Sequence, residues 1–82
     1  SRGVVNATEV GIRMLVEAAI KSNAAAVIIA HNHPGALPLP SKEDEYCTRL
    51  VKKALELVDI KLLDHIIVGG KEFQSLNKNG LM

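Results

Sequence analysis

Ala24-Ala25-Ala26-Val27-Ile28-Ile29-Ala30-His31-Asn32-His33-Pro34 is the stretch on which the reading of this chain turns. Its first seven residues are apolar without a break, uncharged, and β-branched at Val27, Ile28 and Ile29. A short run of that chemistry reads as a strand buried on both faces. Side chains alternate along a strand, so if the extended geometry persists past Ala30, His31 and His33 project from the same side.

Upstream, Ser22-Asn23 reads as a helix stop, because Asn tolerates the left-handed conformation that ends many helices. The helix before it is predicted to start at Asn6 as N-cap, with Glu9 in the first turn, and to run to about Lys21. Val10, Met14, Leu15, Ala18 and Ala19 form its apolar face, opposite Arg13, Glu17 and Lys21. Downstream, Asn32 to Pro40 holds three prolines and a glycine, which makes it a loop. Ser41-Lys42-Glu43-Asp44 opens a second helix with the stripe Cys47, Leu50, Val51, Ala54, Leu55, Leu57 and Val58. Residues 62–68 then read as a strand, Gly69-Gly70 as a turn and 72–76 as the return strand of a hairpin. Helix, strand, helix, hairpin is an α/β order, here in one domain over residues 1–82. A sheet of three short strands is meagre, so the reading expects further strands N-terminal to Ser1.

With 82 residues, the chain can form one compact domain with a thin core. Only Tyr46 and Phe73 are aromatic, so that core must be aliphatic, and the shortage of planar side chains argues against a stacking platform for single-stranded nucleic acid. Ten Lys and Arg against nine Asp and Glu give a net charge of +1, which weighs against direct nucleic-acid binding. The single cysteine, Cys47, allows no intrachain disulfide, as suits a reducing cytoplasm. No apolar run approaches the ~20 residues of a membrane span. Homo-oligomerisation stays open.

The loop from Pro34 to Pro40 can fold back to bring the Asp44 carboxylate to the two imidazoles. Two histidines and one carboxylate, with a fourth position left for water, are a ligand set for catalytic zinc. Zinc lowers the pKa of such a water to roughly 7. The competing reading is local: Ser41-x-x-Asp44 resembles a capping box, although the last position favours Glu or Gln, whose longer side chain reaches back more easily. His65 reads first as a histidine hydrogen-bonded within or at the edge of the sheet, ahead of a role beside the ligands or toward substrate. Cys47, one turn beyond Asp44 and able to approach the metal, reads first as a small core residue.

His31-x-His33, seven residues, then Ser41-x-x-Asp44 matches the JAMM signature of JAB/MPN metalloproteins without a spacing departure. Ala30-His31-Asn32-His33-Pro34 and Leu63-Asp64-His65 resemble the RadC branch of that family, long labelled as DNA repair factors. The resemblance implies a three-layer α/β/α, cytidine-deaminase-like fold. It also implies one Zn2+ per chain on His31, His33 and Asp44, and hydrolysis of a peptide or isopeptide bond. Ser41 would then hydrogen-bond the oxyanion or the bound water. The alternative is a DNA-repair-associated or protein-interaction domain with a structural or vestigial zinc site. The family's general-base glutamate precedes the first helix, and nothing acidic here precedes Glu9. Glu9 and Glu17 belong to the first helix by spacing, and Glu43 should diverge from its ligand neighbour by about 100°.

Overall fold

The computed structural model describes residues 4–6, 11–33, 35 and 37–82. Its elements are β1 (Val4–Asn6), α1 (Ile12–Lys21), β2 (Ala26–Asn32), α2 (Lys42–Glu56), β3 (Lys61–Gly69) and β4 (Glu72–Ser75). They build one sheet in the order β1-β2-β3-β4, with the first three strands parallel and β4 antiparallel to β3. The small mixed α/β architecture agrees with the sequence reading, but the strand count does not. Asn6, expected to cap the first helix, lies in β1 and pairs with Ala30. The described part of α1 begins at Ile12, with Gly11 as its N-cap. The expected helical start over residues 7–10, including Glu9, lies outside the described residues.

Most other boundaries follow local chemistry. Asn23 adopts φ +52° after α1, the left-handed stop read from its side chain, and Ala24 N–H closes onto Ala19 O at 3.0 Å. Gly70 takes φ +61° in the two-residue turn that joins Gly69 to its partner Glu72. Strand β2 continues through His31 and Asn32, two residues beyond its apolar run. His33 N–H still donates to Val68 O at 2.7 Å.

A bulge decides which side chains of β3 face the helices. Val27 lies opposite Leu62, but Ile28 lies opposite Asp64, so Leu63 is an extra residue in the register. Because side-chain direction has a period of two, one extra residue reverses the parity of everything after it. Leu62, His65 and Ile67 therefore share the face of Val27, Ile29 and His31, and Asp64 and Ile66 turn to the other. There Asp64 accepts from Ser75 Oγ at 2.5 Å and from the backbone N–H of His65 and Asn77, tying β3 to the end of the hairpin.

The core is aliphatic, as the composition requires. Leu15 and Ala19 of α1 and Val51 and Leu55 of α2 meet Ile29, Ile60 and Leu62 in one cluster. Both helices thus serve the same sheet face. Each fully buried Val, Leu or Ile contributes roughly 1.5–3 kcal/mol relative to exposure. The aromatic residues stay out: Phe73 is 68% exposed and Tyr46 60%. The predicted α2 stripe fails at its end, where Leu57 is 88% exposed, because the helix stops at Glu56 and its periodicity stops with it.

Candidate metal centre

The carboxyl ends of parallel strands and the first turn of the following helix are where open α/β sheets place their ligands. His31 stands near the end of β2 and His33 just beyond it, while Asp44 is the third residue of α2. The proline-bearing loop returns the chain so that these three meet. His31 Nδ1 lies 2.9 Å from Asp44 Oδ1, and His33 Nε2 lies 3.4 Å from Asp44 Oδ2. His31 and His33 contact edge to face, with ring centroids 4.5 Å apart. One nitrogen from each histidine and one carboxylate oxygen lie within 4.8 Å of one another, a group that could hold a metal ion.

Two details separate this arrangement from ordinary histidine–carboxylate pairing. The buried His31 Nδ1 forms no well-aligned hydrogen bond although it lies 2.9 Å from Asp44 Oδ1, so the two atoms converge without the geometry of a simple donor–acceptor pair. Around a tetrahedral zinc, with bonds near 2.0–2.2 Å, neighbouring ligand atoms stand about 3.3–3.5 Å apart. The 3.4 Å from His33 Nε2 to Asp44 Oδ2 falls within that spacing, and the 2.9 Å from His31 Nδ1 to Asp44 Oδ1 is shorter than it. His33 Nδ1 lies 3.4 Å from the Leu37 carbonyl, which can only accept, and this contact favours the tautomer whose free lone pair is on Nε2, facing Asp44. His33 is the most open of the three, with its side chain 20% exposed, so access is from its side.

The capping box expected as the competing reading is present in full, and it does not compete. Ser41 N–H donates to Asp44 Oδ2 at 2.8 Å, and Asp44 N–H donates to Ser41 Oγ at 3.0 Å. The short aspartate does reach back, and its other oxygen still faces His31. One carboxylate caps the helix and presents an oxygen to the imidazoles. Burial raises the Asp44 pKa, but hydrogen bonding with Ser41 and the fields of His31 and His33 lower it by more, leaving it below the ordinary aspartate value. Ser41→Ala should cost about 0.5–2 kcal/mol of stability through the lost cap, read as a lower urea midpoint at constant slope.

The remaining candidates stay outside this group. Glu17 is exposed and paired with Lys21 at 3.3 Å, and Glu43 is exposed. Cys47 packs against the core, where burial and then the negative charge of Asp44 push its thiol pKa up. A raised thiol stays protonated and ligates poorly. His65 is buried, but its partner is not in the sheet: its Nδ1 lies 2.5 Å from Thr48 Oγ1 on α2. Sequence reasoning passed over Thr48. The available signal was its position four residues after Asp44, which places the two on one helix face.

The structure thus defines a small α/β domain with a histidine–histidine–aspartate centre at the strand ends. The chain belongs to the RadC-like JAB domain family, whose model matches residues 1–81. A UPF0758 protein of Pseudoalteromonas translucida (strain TAC 125) is 50% identical over 80 residues, which cover 98% of this chain and 36% of that relative. The UPF0758 protein YkfG of Escherichia coli (strain K12) is 46% identical over 80 residues, covering 98% of this chain and 51% of the relative. The chain spans about a third to a half of the length of these relatives. No helix among the described residues is long and apolar enough to cross a membrane.

Proposed function

We propose that this domain holds one zinc ion on His31, His33 and Asp44 and serves hydrolysis of a peptide or isopeptide bond. The observation that carries the reading is the convergence of two imidazole nitrogens and a carboxylate oxygen within 4.8 Å of one another, with the buried His31 Nδ1 beside Asp44 Oδ1 but in no well-aligned hydrogen bond. The donor set fits zinc: two borderline nitrogens, one hard oxygen and a side left open toward His33. Bound zinc supplies Lewis-acid polarisation and a water acidified to near neutrality.

The chain's own residues have separable tasks in this reading. His33, oriented by Leu37, and His31, held in the strand, offer lone pairs without conformational search. Asp44 carries the single negative charge of the trio. Ser41 Oγ accepts from Asp44 N–H and keeps its own proton, which it can donate to oxygen developing negative charge in a substrate carbonyl. Among the described residues no second carboxylate joins the trio. The general base, worth about 10²–10⁴-fold, is therefore assigned to a group outside it. We also propose that the fold is three-layered in the whole protein. Ile28, Ala30 and Ile66 are half-buried and Val68 and Phe73 exposed on the sheet face away from α1 and α2, where a third layer would pack.

The test is metal analysis after mild chelation and zinc readdition, followed by incubation with an isopeptide-linked substrate. About one zinc per chain is the expected result, with chelator-sensitive cleavage slowed by about 10²–10⁴-fold where the general base is not supplied. A wild-type protein that takes up no zinc would sink the reading.

A further inference from the structure

His65 and Thr48 form a buried linkage that the metal reading leaves unused. Thr48 is fully buried and His65 is 1% exposed. Thr48 Oγ1 lies 2.6 Å from the Asp44 carbonyl oxygen, which can only accept, so the threonine proton is committed there. His65 Nδ1 lies 2.5 Å from the same hydroxyl and must therefore be its donor. The order is His65 Nδ1–H to Thr48 Oγ1, then Thr48 O–H to Asp44 C=O. It fixes the imidazole as the Nδ1–H tautomer and leaves Nε2 buried without a partner.

The same ring also touches the other side of the centre. The bulge at Leu63 places His65 opposite Ile29 and beneath α2, diagonal to His31 on one sheet face. The His31 and His65 rings stack with centroids 6.0 Å apart and planes inclined by 27°. His65 is itself anchored: its N–H donates to Asp64 Oδ1 at 2.7 Å, and its carbonyl accepts from Leu76 N–H at 3.0 Å. One imidazole thus bears on His31 from the sheet and, through Thr48, on the backbone of Asp44 in the helix.

We infer that His65 and Thr48 are positioning residues which set the separation of Asp44 from His31, and so the affinity and geometry of the metal centre. The inference rests on the zinc reading above. The alternative, that the pair only fills the core, predicts a loss of stability with unchanged metal binding. The arrangement favours positioning because a core-filling role needs no hydroxyl: a buried imidazole and hydroxyl that merely occupied space would carry a desolvation cost that apolar residues avoid.

The experiment titrates the protein with cobalt(II), whose visible absorption reports ligand geometry, and compares wild type with Thr48→Val and Thr48→Ser. Thr48→Val keeps the side-chain shape and removes the link; it should weaken cobalt binding by about 10–100-fold and alter the visible bands. Thr48→Ser restores the hydroxyl and should restore both. Thr48→Ala also removes the hydroxyl and substitutes for the valine variant should that fail to fold. Folded Thr48→Val or Thr48→Ala with wild-type affinity and spectrum overturns the positioning role and leaves the metal reading standing. A wild-type protein that binds no cobalt overturns both.

Discussion

Asp44→Asn is expected to abolish metal binding while leaving α2 capped. The asparagine side-chain oxygen can still accept from Ser41 N–H, so the reciprocal cap observed at 2.8 and 3.0 Å can persist. What disappears is the negative charge and the second oxygen now facing His31. Changes to outer partners of a metal site cost about 10–100-fold in affinity, so loss of a ligand should exceed 100-fold, measured by zinc calorimetry. Stability should fall only by about 0.3–1 kcal/mol, the value of a charge at a helix N-terminus. Zinc binding within tenfold of wild type would contradict the ligand assignment. The metal-free protein adds a pH signature. A carboxyl whose pKa is lowered by folding stabilises above its unfolded value, and that stabilisation is lost as pH falls through the folded value. Chelator-treated wild type should therefore lose more stability than Asp44→Asn on acidification below about pH 4.

Leu55→Ala should have the largest effect on the fold and little on the centre. Leu55 is 1% exposed in the cluster that joins both helices to β2 and β3, and its carbonyl accepts from Ile60 N–H at 2.9 Å as the chain leaves α2. Buried Leu→Ala changes cost about 2–5 kcal/mol, from lost transfer energy and the cavity left behind. A chain of this length commands only about 4–12 kcal/mol in total. A large drop in urea midpoint is expected, with partial unfolding at the upper end of the range. The substituted residue is three turns from Asp44 along α2, about 16 Å at the helical rise. Zinc affinity extrapolated to the folded fraction should accordingly match wild type. A parallel loss of affinity would mean that the far end of α2 is coupled to its first turn.

The contrast between the two ends of α2 also shows where sequence was sufficient. Ser41 and Asp44 announced the helix start, because a cap is made by residues three apart and needs nothing from the rest of the chain. The histidine pair at the end of an apolar strand announced the centre for the same local reason. The far end of α2 was misread: the apolar pattern runs on through Leu57 and Val58, and only the hydrogen bonds closing onto Leu55 and Lys53 show that the helix has ended.

Strand β1 was hidden because three residues carry no usable period, and Asn6 has a good local reason to cap a helix. Its pairing with β2 is a long-range fact. The role of His65 was hidden by the bulge, since a polar residue in an alternating strand can face either layer and a single extra residue chooses between them. By itself, then, the sequence determined the α/β class, the cap, the strand that bears the histidines and the identity of the trio. Those features depend on contacts between near neighbours in the chain. Tertiary structure alone decided that Leu63 bulges, that His65 lies beneath α2, and that Thr48 joins it to Asp44. Each of these depends on how distant elements pack, which residue spacing does not encode.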